Sequence, residues 1–492
     1  MIDRIPFPAP EITTSEKLSS SGVLVVFSTQ SSSGKVEVDR VSDLDSSLKT
    51  VLTQLIESTE IEGKTGEIVT VGTGNPATPM MVVVGLGDPT ELTRGRVIEA
   101  ASSVVRVLNK KPRQEISFLV GDSIATANHD GLVIGAITAC EGQHLYQSEP
   151  GTHVPSKFTF IGVSEQAAVC GEQLGSSINV TRRLVNEPPT IMNPTEFADQ
   201  AAAMAKKEGL DCEVWDEARL DKEGCRAILA VGRASTSPPR LVILKHNGGG
   251  SEPPIALVGK GVTFDSGGLS IKPSEGMVDM KCDMAGAATV VGVMRAIAKS
   301  GLKRNVIGLC GLAENMISGD AYKLGDVIET RSGKTIEILN TDAEGRVVLA
   351  DTLDVAVQHK PTAIVDLATL TGACMVALGN EVAGLMTNDD ALCDDITEAA
   401  MSEDEPVWKL PMFSLYDEKV KSKVADIKNV GEGRWGGAIT AAKFLENFVG
   451  ETPWVHIDIA GPAFVDSPKP HRDAGATGVM VRSLTKWLSS QA

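Results

Sequence analysis

One short stretch restricts the fold of this chain more than any other. The apolar run Thr335-Ile336-Glu337-Ile338-Leu339 reads as a strand, and Val347 to Val357 has apolar spacing that suits a helix. Between them lies Asn340-Thr341-Asp342-Ala343-Glu344-Gly345-Arg346, two carboxylates and a guanidinium beside a glycine. The acids are expected on a strand-to-helix loop at the carboxyl end of a strand, where α/β sheets place their chemistry. An Asp and a Glu two apart on such a loop can reach one centre, which fits a hard metal ion.

The rest of the chain can supply the scaffold this stretch needs. Its 492 residues suggest two or three domains, and a hydrophobic content of 42% is ample for a large core. The formal net charge of -18 argues against nonspecific binding to nucleic acid or an anionic membrane, since both need a basic surface. An acidic balance suits a cytoplasmic protein. The eight cysteines form no C-x-x-C pair and read as reduced, mostly buried thiols. The seven histidines show neither H-E-x-x-H nor an i, i+4 pair, which argues against a His/Cys zinc site. Met1-Ile2-Asp3-Arg4-Ile5-Pro6 lacks a basic segment followed by an apolar one, and no apolar run is long enough to span a membrane.

Residues 1–165 alternate strand-like and helix-like segments. Gly22–Phe27, Met80–Gly87 and Ile116–Val120 read as strands and Arg94–Leu108 as a helix. Residues 166–190 read as a connecting helix, Ala167 to Val185, stopped at Pro188-Pro189. A larger domain over 191–492 opens with a helix near Pro194. It continues with strands at Ala227–Val231, Arg240–Lys245, Ile255–Gly259, Val306–Gly311, Ala363–Asp366 and Trp454–Ile459. The class is α/β, two domains, each a mixed or parallel sheet flanked by helices.

A second constellation lies upstream, in Lys260-Gly261-Val262-Thr263-Phe264-Asp265-Ser266-Gly267-Gly268-Leu269-Ser270-Ile271-Lys272-Pro273. Here too an apolar strand runs into a glycine-rich loop, now with Lys260, Asp265 and Lys272. A further acid, Asp283, sits in Met280-Lys281-Cys282-Asp283-Met284-Ala285-Gly286, ahead of the apolar helix 287–298. Each piece has a plain alternative. Asp265 reads equally as a turn residue or cap, Asp283 as a helix cap. Asp342 and Glu344 also fit a salt bridge with Arg346, and the two lysines fit surface charges. Taken together, four carboxylates in one pocket would repel strongly, and two divalent cations would cancel them.

The three blocks N-T-D-A-E-G-R, K-G-V-T-F-D-S-G-G-L-S-I-K-P and M-K-C-D-M-A-G resemble the signatures of the leucine aminopeptidase (cytosol aminopeptidase) family. The resemblance covers about residues 180 to 485 well. It implies a smaller macro-like N-terminal domain and a larger catalytic one. It also implies two divalent ions per subunit, manganese or zinc. Asp265 and Glu344 would bridge them, Lys260 and Asp283 would complete one, and Asp342 the other. A ligating lysine must be neutral, which the neighbouring cations would enforce. Lys272 would stabilise the oxyanion. Arg346, with the backbone of Ala343, Gly345 and Leu370, would hold a bicarbonate as general base toward the attacking water. Met280, Thr369, Gly372 and Ala463 resemble the family's pocket positions, and a methionine-lined wall suits Leu or Met side chains. The implied activity is release of N-terminal residues from peptide substrates, by a homohexamer in the cytoplasm.

Other readings are weaker. Gly333-Lys334-Thr335 resembles the end of a P-loop, but Ile328 stands where the first glycine is needed. A two-metal phosphoesterase would use a similar pocket, yet the N-T-D-A-E-G-R block argues against it. Cys282 lacks an obvious His partner, and a buried thiol beside an acid has a raised pKa. A nucleic-acid-binding or scaffold role could coexist with catalysis. Trp435-Gly436-Gly437 reads as a loop rimming the site or an interface, and His456 and Asp458 as supporting residues rather than ligands.

Overall fold

The computed structural model describes residues 9–433 and 435–491. The reading of Met1–Pro6 as free of a leader lies outside the described residues. The chain divides into two compact units. One is the chain up to Asn179 with Ser402–Asp404 and Ser467–Ala474; the other is Val180–Met401, Glu405–Asp466 and the chain from Gly475 on.

The first unit runs β1 (Glu11–Ser15), β2 (Leu24–Gln30), β3 (Val36–Val38), α1 (Ser46–Glu57), β4 (Ile68–Asn75) and β5 (Thr78–Gly85). It continues with α2 (Arg94–Leu108), β6 (Glu115–Leu119), α3 (His129–Thr138) and β7 (Lys157–Ile161). Its seven-stranded sheet has the order β1-β7-β6-β2-β5-β4, with β3 added on β2. β2 is buried on both faces. Val25 and Phe27 enter one apolar cluster and Leu24 and Val26 another, as alternation along a covered strand requires. The long α4 (Glu165–Asn186) follows as one unbroken helix.

The second unit begins α5 (Pro194–Glu208), β8 (Asp211–Trp215), α6 (Glu217–Lys222), α7 (Arg226–Gly232), β9 (Arg240–Asn247) and β10 (Ile255–Asp265). Next come α8 (Ser274–Met277), α9 (Ala285–Ser300), β11 (Asn305–Asn315), β12 (Val327–Glu329), β13 (Thr335–Glu337) and α10 (Glu344–Gln358). The chain then forms β14 (Ala363–Ala368), α11 (Gly372–Leu378), β15 (Ala383–Thr387), α12 (Asp390–Ser402), β16 (Val407–Lys409) and α13 (Asp417–Val420). It ends with β17 (Ile427–Lys428), α14 (Gly437–Glu446), β18 (Trp454–Asp458) and α15 (Val481–Ser490).

The eight-stranded sheet here has the order β16-β15-β18-β14-β10-β11-β9-β8. β10 pairs in parallel with β11 on one side and β14 on the other. The chain leaves β10 through α9 to reach β11, then returns through α10 to β14. Strand order therefore reverses at β10, and the crevice at the carboxyl ends of β10 and β14 is the topological switch point. Helix α9 packs with α5 and α15, whereas α10 packs with α7 and α14.

Two expectations need correction. Ala227–Val231 is not a strand but most of α7. A short apolar run does not distinguish the two states, and a distant residue decides. Cys225 offers α7 no side-chain cap. Instead Asp351, buried on α10, accepts from the N–H groups of Ala227 (2.8 Å) and Ile228 (3.1 Å) with one oxygen and of Arg331 (2.8 Å) with the other. The second correction concerns the carboxylate loop. Its preceding strand, β13, belongs to a three-stranded sheet with β12 and β17 and not to the large sheet. The helix starts early, so that Glu344 is already its first residue.

Asp351→Ala would strand the buried N–H groups of Ala227 and Ile228 and the part-buried one of Arg331. The expected cost is about 3 kcal/mol or more of stability, read as a lower denaturation midpoint in urea against the parent protein.

Candidate metal centre

Lys260 and Asp265 both lie on β10 but are an odd number of residues apart. Strict alternation would send them to opposite faces. The pairing of β10 with β11 shifts register between Val262 and Phe264, a bulge that resets the alternation between them. Beyond Asp265, Gly267 and Gly268 take φ of +83° and +61°, a backbone that favours glycine and turns the chain back toward Lys272.

Three loops then converge. Lys260 Nζ donates to Asp283 Oδ1 (2.7 Å) and to the Thr369 carbonyl (2.9 Å), and lies 3.0 Å from Glu344 Oε1. Lys272 Nζ lies 2.8 Å from Asp265 Oδ2 and 2.6 Å from Asp342 Oδ1. Carboxylate oxygens of Asp265, Asp342 and Glu344 fall within 4.8 Å of one another. Asp283 stands outside that trio and joins it through Lys260; its Oδ1 also accepts from Thr369 Oγ1 at 2.8 Å.

The plain alternatives resolve differently for each residue. Asp265 does stabilise a turn, accepting from Gly267 N–H at 2.8 Å, but its other oxygen faces Lys272. Asp283 does not cap α9, whose N-cap position is Met284. Arg346 pairs with neither Asp342 nor Glu344 among the described ion pairs; its Nη1 donates to the Asn429 carbonyl at 2.9 Å. The lysines are not surface charges, since Lys260 is buried and Lys272 mostly so.

This set is short of positive charge. Burial, then the charge of Glu344, pushes Asp265 up to about 7 despite Lys272 and Lys260. Burial likewise raises Asp283 well above the usual carboxylate range, and raises Asp342. Burial works against the Glu344 carboxylate too, but Lys260 and Lys272 outweigh it and hold Glu344 below its ordinary value. Burial would strip the proton from Lys260, yet Asp283, Glu344 and Asp265 keep it charged. Lys272 is held charged against burial, by Asp265 first. The Arg346 guanidinium is lowered to about 10 by burial. Cys282 is pushed up to about 12 by burial and by Asp283, which disqualifies it as a nucleophile at neutral pH.

The residues fit divalent cations. Asp283 Oδ2 and Glu344 Oε2 are buried without a hydrogen-bond partner, an arrangement that costs free energy unless a cation or a proton meets it. All the donors are hard oxygens or an amine.

The remaining expected residues are positioned as follows. Thr369 is buried against Asp283 and Lys260, and Gly372 opens α11 in the same loop. Ala463 is buried, and Met280 is half-buried on the turn that carries Asp283. Ala343 and Gly345 lie at the start of α10, whose first-turn N–H groups have no partner within the helix. The Leu370 N–H is already committed, donating to Asp458 Oδ1 at 3.2 Å. Trp435 is exposed. His456 Nδ1 pairs with Asp366 Oδ1 at 2.6 Å within the sheet, a structural position.

Sequence reasoning missed the supports of the carboxylate loop. The Thr341 carbonyl accepts from Asn315 Nδ2 (3.0 Å) and Tyr322 Oη (2.8 Å), and Asn315 also donates to Asp265 Oδ1 (2.8 Å). Asn429 holds the other part of the loop. The one available signal was weak: each is a polar residue within or next to an apolar run.

A two-domain α/β chain with a carboxylate–lysine centre at the switch point of its larger sheet is the architecture of a metal-dependent hydrolase. Residues 179–485 match the catalytic domain of the cytosol aminopeptidase family, and residues 23–150 match that family's N-terminal domain. A probable cytosol aminopeptidase of Rhodopirellula baltica is 68% identical over 99% of this chain and 98% of its own length. Among solved structures, the bottromycin maturation enzyme BotP in complex with Mn superposes with a TM-score of 0.86 at 32% identity, covering 96% of this chain and 99% of that one. The cytosol aminopeptidase of Coxiella burnetii gives 0.84 at 32% identity, over 98% and 99%. This chain belongs to the cytosol aminopeptidase family: it is a divalent-metal-dependent exopeptidase that acts at the N-terminus of peptides.

Gly345 lies against Lys260, and a Cβ built there would stand 2.5 Å from Lys260 Nζ. Gly345→Ala should displace the lysine and weaken metal affinity about tenfold or more, measured by competition with a fluorescent chelator.

Proposed function

We propose that the centre holds two divalent cations, manganese or zinc, and releases leucine and other apolar residues from peptide N-termini. The observation that carries this reading is the convergence of three carboxylates within 4.8 Å, beside two lysines, with buried oxygens that no protein group satisfies. Asp265 and Glu344 would be shared by both cations, with Lys260 and Asp283 serving one and Asp342 the other. The manganese complex of BotP supports manganese as an occupant. Once bound, the cations would supply the charge that acidifies a water, polarises the scissile carbonyl and receives the free α-amino group.

The chain's own groups would do the rest. Lys260 must give up its proton to become a ligand, and divalent charge beside it would drive that loss. Lys272 remains an ammonium at the edge of the site, its side chain 17% exposed, placed to donate to the oxygen of a tetrahedral intermediate. Arg346 would hold a bicarbonate, aided by the backbone of Ala343 and Gly345 at the start of α10 and of Leu370. Bicarbonate in that place supplies a general base. Met280, half-buried and flexible, with Thr369, Gly372 and Ala463, would form the wall that receives an apolar side chain.

The eight free cysteines suit the reducing cytoplasm. Exposed Val376, Trp408, Phe413 and Trp435 suit burial between copies in a homohexamer, and light scattering would report that mass.

Peptide cleavage tests the reading directly. The manganese-loaded protein should release p-nitroaniline from leucine p-nitroanilide and no phosphate from p-nitrophenyl phosphate; the reverse would overturn it. Glu344→Ala should lose both bound metal and activity, and full activity in that variant would refute the two-metal assignment. Lys272→Ala should keep its metal, measured by elemental analysis, and lose about 10²–10³ in kcat.

A further inference from the structure

Asn429 lies one residue beyond β17 and is completely buried. Its hydrogen bonds all reach the segment that bears the carboxylates. Oδ1 accepts from the Leu339 N–H at 2.9 Å. Nδ2 donates to the Asn340 carbonyl at 2.6 Å and, at 3.5 Å, to that of Ala343. Its backbone N–H donates to the Glu337 carbonyl at 3.0 Å, and its own carbonyl accepts from Arg346 Nη1 at 2.9 Å. An amide supplies two N–H donors and an acceptor oxygen at neutral charge. Aspartate would turn an oxygen toward the two carbonyls, and an aliphatic residue would leave the Leu339 N–H unpaired and the Asn340 carbonyl with only the long 3.4 Å bond from the Ala343 N–H.

The loop thus has two separate supports. Asn315 and Tyr322 hold the Thr341 carbonyl beside Asp265. Asn429 holds Leu339, Asn340 and Ala343, and it alone among these residues reaches Arg346. The guanidinium has Nη1 fixed by that contact, while its Nε is buried with no protein partner. A buried cationic donor with an unused N–H is suited to an anion.

We infer that Asn429 is a positioning residue that sets Arg346 to receive bicarbonate: its side chain anchors it to the carboxylate loop, and its main-chain carbonyl, so placed, orients the guanidinium. The inference rests on the reading that Arg346 holds bicarbonate. Orientation of a guanidinium decides whether its N–H groups meet a planar anion squarely, so a small rotation weakens binding without removing any contact residue.

The test uses full-length, metal-loaded protein in buffer freed of carbon dioxide, with sodium bicarbonate added back. Asn429→Asp and Asn429→Ser are compared with the parent, so that a folding failure in one leaves the other to decide. Bicarbonate binding is read by carbon-13 NMR on the zinc-loaded form, metal content by elemental analysis, and kcat and KM with leucine p-nitroanilide. The parent should bind bicarbonate and gain kcat from it. The Asn429 variants should keep the parent's metal content and KM and need about tenfold more bicarbonate for half-saturation, a change of about 1.4 kcal/mol. In an Arg346→Ala background the same changes should cost nothing further. Unaltered bicarbonate half-saturation in the variants, loss of metal, or losses that add to those of Arg346→Ala would each overturn the inference. A parent that neither binds nor responds to bicarbonate would overturn the underlying reading and the inference with it, and the parent alone reveals that case.

Discussion

The structure around the site depends on one electrostatic constraint: carboxylates withdrawn from water need positive charge within a few ångströms. Lys260 meets part of that need from inside β10, between Asp283 and Glu344 at 2.7 and 3.0 Å. Lys272 meets another part, between Asp265 and Asp342. Two ammonium groups do not match four carboxylates, and burial still raises Asp265 and Asp283 against the lysines beside them. Divalent cations would remove it, which makes affinity for metal a consequence of the burial itself.

The backbone exists to keep these charges together. The bulge in β10 places Lys260 and Asp265 on a common side. Reversal of strand order at β10 opens the crevice into which the turn ahead of α9 and the first residue of α10 deliver Asp283 and Glu344. Helix α10 connects the site to the core. Glu344 begins it, and Asp351, two turns on, caps α7 from a distance. A helix buried on nearly all sides cannot shift without disturbing its neighbours, and that rigidity holds Glu344 in register with Lys260.

Much of this was legible in order along the chain. The spacing of Lys260, Asp265 and Lys272 and the pair Asp342 and Glu344 announce charged groups after apolar runs, but Lys260 and Asp265, read as loop residues, lie within β10, which continues past Gly259 to Asp265. Arg94–Leu108 reads as a helix from periodicity alone and forms one with those limits. Where reading failed, distant partners were responsible. Ala227–Val231 has a strand's composition and becomes a helix, because Asp351 supplies its missing cap. Glu344 reads as a loop residue and turns out to start α10. Asn429, Asn315 and Tyr322 carry no local signature, since their partners lie far away in sequence.

By itself the sequence determined the chemistry available: four acids, two lysines and an arginine in three blocks, and apolar runs that require an α/β core. Those properties are local, because residue type and spacing fix them before folding. Only the tertiary structure decided which groups share one electrostatic field. It placed Asp283 on Lys260 rather than on a helix N-terminus, Arg346 on the Asn429 carbonyl rather than on its neighbouring acids, and Leu370 N–H on Asp458. Charge interactions fall off over a few ångströms, and only chain folding sets distances that short between residues so far apart in sequence.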